Sequence, residues 1–475
     1  MLVNSIIFWA FFLVVLIPYF TILRKNSRWQ NLWILVASYF FYGYADWRML
    51  GLLFVSTLVF FLLGIWSKGS GQRSKLAMVI GVVVGVGMLV YFKYMNFFID
   101  QFAAVLGLVG VHTNWSSFNI VVPIGISFFT FKLMSYVIEI HRENIEPETD
   151  FISFATYVAF FPTIMSGPID RPNKFIPQIK ETRLFQTENV IEGSKRVLWG
   201  MFLKLCIADQ LAPYTDSVLY NYYHHNATSI ILACVLYSFQ LYADFGGYSE
   251  MAIGVSRIMG INVTENFLRP FFAQNIAEFW RRWHMSLTTW ITDYVFMPLN
   301  IAFRNWGKWG IYLATLLNLV IIGAWHGANW TFLLFGVFHG ILLVMVTAND
   351  KKRKKLEKKY GLKKNAVYKY SRMFITFVLC TIGFLLFRSD SVSHFFAVLG
   401  RLGSGFGMFF MSWALTAILP ICILVFKEYK DENKLNIHFL HSEKLWVQAV
   451  SFALLVVFII YTGALNGGHF IYFQF

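Results

Sequence analysis

The chain has 475 residues, of which 57% are hydrophobic and 14% are charged, and its formal net charge is +15. A soluble domain carries about 25% charged residues because its surface has to meet water, so this composition excludes an ordinary soluble enzyme. The aromatic content of 19% is typical of a chain that meets lipid and two membrane–water interfaces.

Long uncharged runs follow one another along the chain, and most approach the roughly 17–25 residues that a helix needs to cross the hydrocarbon. A helix satisfies its own backbone hydrogen bonds, so it is the default spanning element. The alternation typical of an outer-membrane barrel is absent. The sequence therefore predicts an all-α polytopic membrane protein with roughly 11 or more transmembrane helices. The runs are Ile6–Leu23, Trp29–Ala45, Met49–Trp66, Leu76–Phe92, Trp115–Phe131, Asn226–Ala243, Trp309–Trp325, Gly327–Asn349, Met373–Phe387, Leu402–Phe426 and Leu445–Tyr461.

Positive charge is concentrated between two of these runs. Residues 351–372 contain eleven Lys or Arg residues and one acid, Glu357. Between apolar spans, the positive-inside rule explains such a run better than nucleic-acid binding does, and the run can also contact anionic membrane lipid. We therefore predict a basic cytoplasmic loop at 351–372. The smaller basic cluster Arg24–Arg28 follows the first apolar run, and placing it in the cytoplasm predicts an N-terminus on the opposite face of the membrane.

The middle of the chain differs from the rest. From residue 151 to 300 it mixes apolar residues with several prolines and with charges such as Lys204, Asp209 and Asp244. Broken backbone at membrane depth survives only where it is buried in protein or lines a wet cavity, and ionisable groups there are functional candidates. We predict one membrane domain, 1–475, with N-terminal helices at 1–115, a catalytic core with re-entrant segments at 116–350, and C-terminal helices at 373–475.

Motifs of soluble enzymes, such as the P-loop and G-x-S-x-G, are missing. The stretch around His326 is the first candidate, since no Lys, Arg, Asp or Glu occurs from Trp309 to Asn349. Burial favours the neutral imidazole, and a neutral imidazole accepts a proton as a general base. The alternative is a histidine that hydrogen-bonds between helices. His339 is most simply interpreted as a histidine that packs between helices.

A second candidate stretch runs from Glu278 to Leu287. On a helix, Glu278 can pair with Arg281 or Arg282 at a spacing of three or four residues, and His284 lies on the face of Trp280. The alternative is an interfacial amphipathic helix with Arg and Trp at headgroup level.

Two glycine-containing segments that interrupt the helical pattern contain acidic residues. Residues 166–172, which include Asp170 and Arg171, predict a loop because Gly-Pro and a second proline break helices. Residues 244–249 begin with Asp244 and predict a helix C-terminus at Gly246–Gly247. The four cysteines are scattered without metal-ligand spacing, so we expect no metal site.

Taken together, five stretches resemble the membrane-bound O-acyltransferase (MBOAT) family. Within it they resemble the bacterial branch of alginate O-acetylase, peptidoglycan O-acetyltransferases and the D-alanyl transfer protein of teichoic acids. The match covers most of the chain in order, and the Trp-Arg-Arg-Trp-His and Trp-His-Gly pieces are specific only together. The stretches are PIGISFFTFKLMSY at 123–136, FFPTIMSGPIDR at 160–171, YADFGGYS at 242–249, EFWRRWHMSLTTWITD at 278–293 and GAWHGANW at 323–330, with FIYFQF at 470–475.

The resemblance implies a ring of tilted helices around a central funnel, with His326 as the catalytic residue and His284 as the second functional position. It implies acyl transfer from a cytoplasmic thioester donor, such as acetyl-CoA, to an extracytoplasmic hydroxyl, with no bound cofactor. The expected partner is a separate extracytoplasmic SGNH-type transferase or esterase, and the expected location is the plasma or inner membrane. The expected substrate-funnel residues are Arg281, Arg282, Glu278, Asp244, Asp170, Arg171 and Asn329.

The predicted acyl transfer has two versions, which differ in the acyl group that is transferred. The long C-terminal part and the FIYFQF end resemble the acetylases, so O-acetylation of a cell-surface or exported polysaccharide is favoured over D-alanyl transfer to teichoic acids. A transporter is the alternative from another class, since transporters also use broken helices. No pair of similarly interrupted halves supports it.

Overall fold

A computed structural model describes residues 1, 3–68, 71–111, 120–437, 440, 442–464 and 470–471 of the chain. Those residues form helices, turns and irregular segments without any β-strand. The prediction of an all-α polytopic membrane protein is confirmed.

The described residues contain twenty α-helices, several of them joined by short 3₁₀ or π segments. The first ten are α1 Ile6–Phe20, α2 Ser27–Asp46, α3 Leu50–Trp66, α4 Gly71–Leu89, α5 Met95–Leu108, α6 Ile126–His141, α7 Phe151–Ala159, α8 Pro172–Lys180, α9 Thr187–Met201 and α10 Asp209–Tyr220. The others are α11 Ala227–Ile258, α12 Ile276–Trp280, α13 Met285–Ile291, α14 Met297–Ala302, α15 Lys308–His326, α16 Trp330–Lys359, α17 Ala366–Arg388, α18 Val392–Gly400, α19 Ile418–Glu432 and α20 Leu445–Thr462.

Seven helical stretches of the described chain are long and apolar enough to cross a membrane, and α1 is a shorter apolar helix. Two of the stretches, Ser27–Trp66 and Gly71–Leu108, each contain two of the α-helices. Nine of the eleven predicted runs coincide with helices, namely α1–α4, α11, α15–α17 and α20.

The other two predicted runs are not continuous helices. Of the run Trp115–Phe131, the first residues lie outside the described part, and helix α6 begins only at Ile126. Pro123 and the left-handed Gly125, with φ 75°, stop the helix from starting earlier. In Leu402–Phe426, residues 404–412 are irregular and α19 begins at Ile418. Three peptide groups of that segment bond to side chains at the start of α11 or on the residue just before it.

The described chain divides into two compact units. The first contains residues 1–197 and 248–264, in which α4 packs on α6 and α2 packs on α7. The predicted loop before Pro172 is confirmed: residues 160–171 are irregular and almost entirely buried. Burial inside protein is the condition under which irregular backbone survives at membrane depth.

The second unit contains residues 198–247 and 265–475. Its centre is the antiparallel pair α15 and α16, with α17 packed on α16. The short helices α12 and α13 contribute buried aromatic side chains, including Phe279, Trp280 and Trp290. This unit holds both candidate histidines.

Residues 351–372 are mostly helical, although we predicted a loop. Helix α16 continues to Lys359 and α17 begins at Ala366, so only residues 360–365 connect them. Lys, Arg and Glu have high helix propensity, so the helix continues beyond its apolar part.

Helix α11 runs without a break through Gly246 and Gly247, so the predicted helix end at this point is wrong. A β-carbon on Gly247 would lie 2.8 Å from the carbonyl oxygen of Gly200 and 3.0 Å from the amide nitrogen of Lys204. The glycine therefore permits two helical backbones to approach closely, as small residues do between membrane helices.

Replacing Gly247 with valine should destabilise the protein by about 1–3 kcal/mol or more, because the new side chain overpacks the contact. Thermal unfolding followed with a fluorogenic thiol dye measures this, since Cys206 and Cys380 are buried and free. Gly87→Val is the matched control, because a β-carbon on Gly87 meets nothing within 4 Å. Equal melting temperatures of the two variants would contradict the close contact between the backbones at Gly247 and Gly200.

Candidate active site

His326 is the last residue of α15, and Gly327 then takes an extended conformation that ends the helix. Its side chain is buried, at 4% relative exposure. Aromatic rings surround the imidazole, with ring centroids at 5.1 Å for Trp325, 5.0 Å for Phe387 and 6.0 Å for Phe335. The end of a helix hairpin thus places one imidazole inside an apolar enclosure.

His284 occupies an unusual backbone conformation. We predicted a continuous helix through this residue, but α12 ends at Trp280 and His284 lies in the left-handed region with φ 44°. Backbone hydrogen bonds hold the turn, from Met285 N to Asn266 O at 2.9 Å and from Leu268 N to Arg282 O at 3.0 Å. A left-handed non-glycine residue costs roughly 1–2 kcal/mol, and such strain concentrates at functional sites.

Trp325 connects the two histidines. Its ring centroid lies 5.6 Å from that of His284 and 5.1 Å from that of His326. The His284 ring also meets the Phe245 ring edge to face, with 4.6 Å between the centroids. Complete burial lowers the pKa of His284 to about 3, so this imidazole is neutral at physiological pH.

The left-handed conformation of residue 284 should make the stability of the protein depend on which residue replaces the histidine. His284→Val should melt lower than His284→Asn, with a difference of about 1 kcal/mol or more, because β-branched residues are outliers in this region while asparagine tolerates it. Thermal unfolding of the two purified variants measures the difference. Equal stability would mean that the turn relaxes when the histidine is removed.

Arg282 lies in a four-residue ion network. Its guanidinium donates to both carboxylate oxygens of Glu432 at 2.9 Å and to Glu278 at 2.6 Å, and Arg269 also donates to Glu432. Burial alone would raise the pKa of Glu432, but hydrogen bonds from Arg282 and Arg269 outweigh burial and lower it. The predicted Glu278 pairing is therefore made with Arg282, while Arg281 is exposed to solvent or headgroups.

A buried ion triad lies beside the histidine region. The Lys204 ammonium contacts Asp244 at 2.6 Å and Asp209 at 2.8 Å, and all three side chains are at most 5% exposed. The amide of Ile471 donates to the other oxygen of Asp244, and Asp244 is followed directly by Phe245, which touches His284. Lys204 and Asp209 were not among the predicted site residues, although their charges in apolar sequence signalled a buried role.

The remaining predicted site residues are divided between the two units. Asp170 belongs to the first unit, where it is 2% exposed and accepts hydrogen bonds from the amide and hydroxyl of Thr264. Arg171 precedes α8 in the same unit. Asn329 caps α16 through the Thr331 amide and donates to the carbonyl of Asp390. Residues 472–475 of the FIYFQF stretch lie outside the described residues.

The arrangement offers acid–base chemistry in a dry environment. His284 and His326 both pack against the Trp325 ring, and His339 packs between Phe335 and Trp280 as predicted. Among the described residues, no group of three or more His, Cys, Asp or Glu side chains is placed to hold a metal ion. The fold and this histidine pair define a polytopic α-helical membrane protein with a candidate acid–base site within its helices.

Comparison with known proteins places the chain in one family. Residues 36–357, more than half of the chain, match the model of the membrane-bound O-acyltransferase family. The chain belongs to this family, and it is an acyltransferase.

Several relatives cover most of the chain. The probable alginate O-acetylase AlgI of Pseudomonas aeruginosa is 35% identical over 82% of this chain and 73% of its own length. A peptidoglycan O-acetyltransferase of Helicobacter pylori is 30% identical over 85% of this chain and 80% of its own. A teichoic acid D-alanyltransferase of Bacillus subtilis is 31% identical over 58% of this chain and 71% of its own.

Proposed function

We propose that the protein O-acetylates a cell-surface or exported polysaccharide by moving an acetyl group across the plasma or inner membrane. The observation that carries this proposal is the placement of His326, enclosed by aromatic rings at the end of α15 and joined to His284 through Trp325. An imidazole in that position suits acyl transfer from a thioester, which water would otherwise hydrolyse, to an alcohol.

The reaction runs from an acyl thioester to an alcohol. The hydroxyl oxygen attacks the thioester carbonyl while His326 accepts the hydroxyl proton. The tetrahedral intermediate collapses, the carbon–sulfur bond breaks, and the imidazolium returns the proton to the departing thiolate. His284 also packs on Trp325 and is held neutral by burial, so it serves as a hydrogen-bonding group near the carbonyl oxygen.

The donor reaches the site from the cytoplasm. The basic ends of α16 and α17 mark the cytoplasmic face by the positive-inside rule, and their Lys and Arg side chains attract the phosphates of acetyl-CoA or of another thioester carrier. We propose that the accepting hydroxyl belongs to a separate extracytoplasmic SGNH-type protein, which then transfers the acetyl group to a hydroxyl of the polymer.

Acetyl is favoured over D-alanyl as the acyl group. The O-acetylating relatives align with more than four fifths of the chain, while the D-alanyltransferase of Bacillus subtilis aligns with 58%. The acetylases therefore share more of this chain than the D-alanyltransferase does. No observation favours the transporter alternative.

Mass analysis of surface glycans from cells with and without the gene tests this function. We expect ester-linked acetyl groups, released by mild alkali, to disappear with the gene and return on complementation. Loss of ester-linked D-alanine instead would show that the protein transfers D-alanyl groups. An unchanged ester content, together with changed uptake of a small solute, would overturn the acyltransfer proposal.

A further inference from the structure

An irregular apolar segment follows α18, and we name residues 403–413 the apolar strap. Phe406, Met408, Met411 and Trp413 on this strap are largely exposed, Met408 at 90%. On a chain that spans a membrane, such exposed apolar side chains meet lipid or the membrane interface.

Side chains at the start of α11 hold the strap in place. The Asn226 amide donates to the carbonyl of Met408 at 2.8 Å, and the Phe410 amide donates to the hydroxyl of Ser229 at 2.9 Å. The Gly407 amide donates to the Thr228 hydroxyl at 3.2 Å. These bonds satisfy peptide groups that no helix satisfies, so the strap has a defined position.

A cavity of about 550 Å³ lies between the strap, the segment that follows it and α11. The α11 residues that line it are spaced at intervals of three and four, so they form one face of the helix. Apart from one threonine, every lining side chain is apolar. The lining residues are Thr228, Ile231, Leu232, Val235, Phe406, Phe409, Met411, Leu415 and Ile418.

The cavity lies at the membrane face opposite the basic segment. Helix α17 begins beside that segment and is a candidate membrane span. The strap follows the far end of α17, and the start of α11 is bonded to the strap. By the positive-inside rule, this face is extracytoplasmic.

The surroundings of the cavity favour a lipid as its occupant. Irregular backbone does not face hydrocarbon, so the strap lies at headgroup level, where Trp413 is a typical interfacial anchor. Arg401 donates to the carbonyl of His225, two residues before α11 begins, at 2.8 Å. Among the described residues, Arg401 has no carboxylate partner. An apolar cavity beside an unneutralised guanidinium matches an acyl chain attached to an anionic headgroup.

We propose that the cavity between the apolar strap and α11 binds one acyl chain of an anionic phospholipid from the extracytoplasmic leaflet. The phosphate of that lipid lies against Arg401. Such a lipid fixes the strap against α11, and its binding is independent of the acyl-transfer reaction.

Photolabelling of the full chain in proteoliposomes tests this site. The probe is phosphatidylglycerol with a diazirine in one acyl chain, diluted into phosphatidylethanolamine, with adducts mapped by mass spectrometry. We expect adducts concentrated on residues 228–235 and 406–418. Leu232→Trp, which fills the cavity, should reduce them by about tenfold, while Leu454→Trp on the exposed face of α20 should not. Arg401→Gln should reduce the preference for phosphatidylglycerol over a phosphatidylcholine probe.

The wild-type adduct map alone can overturn the proposal if Leu232→Trp fails to fold. Adducts on 228–235 no denser than on α20 would mean that no specific lipid is held. In cells, a photoreactive phenylalanine analogue at position 406 provides a second measurement. Crosslinking to a protein instead of to lipid would assign the strap to a protein partner and overturn the lipid site.

Discussion

His326→Ala should abolish acetylation of the surface polymer. Removing a general base costs about 10²- to 10⁴-fold in rate, and His326 is the imidazole that packs on Phe387 at the end of α15. The variant is expressed in cells that lack the chromosomal gene, and alkali-released acetate per unit of polymer is measured. We expect acetate at the level of the gene deletion.

His224→Ala is the matched control, because His224 is exposed and lies outside the candidate site. It should retain wild-type acetylation. Thermal unfolding of both purified variants separates a lost catalytic group from a lost fold. Wild-type acetate in cells that carry His326→Ala would remove this residue from the mechanism.

Lys204→Met should lower the free energy of unfolding by about 3–5 kcal/mol, because it leaves buried carboxylates without their counterion. Both Asp209 and Asp244 contact the Lys204 ammonium, and the side chains of both acids are at most 4% exposed. Thermal unfolding with the thiol-reactive dye measures the loss. Among the described residues of the second unit, Lys204 alone is a cation that contacts two acids as deeply buried as these.

The triple variant Lys204→Met, Asp209→Asn, Asp244→Asn is the control for this prediction. The triple variant leaves no buried charge without a counterion, and such a charge is what makes a broken buried ion pair costly. The asparagine that replaces Asp244 can still accept a hydrogen bond from the Ile471 amide. The triple variant should therefore melt above the single variant. If it melts as low as Lys204→Met, the loss comes from packing and not from uncompensated charge.

The sequence was most informative where hydrophobicity or charge spacing alone decides the structure. Uncharged runs located nine helices, because crossing the hydrocarbon requires a continuous apolar segment. The spacing between Glu278 and Arg282 predicted their ion pair, which is local to one turn. The buried environment of His326 followed from the absence of charge on both sides of it.

The errors arose where distant chain segments decide the local conformation. Gly246 and Gly247 indicated a helix end, but α11 continues because Gly247 accommodates the backbone near Gly200. The left-handed turn at His284 depends on hydrogen bonds to residues 266–268. The apolar strap was predicted as part of a span because it carries no charge. The hydrogen bonds that hold it in an irregular conformation come from residues 182 and 181 positions away, and the sequence does not reveal them.

Transfer across a sealed membrane tests the central claim most directly. Proteoliposomes hold the purified protein with its extracytoplasmic partner and a trapped polysaccharide, and radiolabelled acetyl-CoA is added outside. We predict that label accumulates inside as an alkali-labile ester on the polysaccharide with the wild-type protein and stays at background with His326→Ala. Equal ester formation by both proteins, or label that enters as intact acetyl-CoA, would contradict acyl transfer at His326.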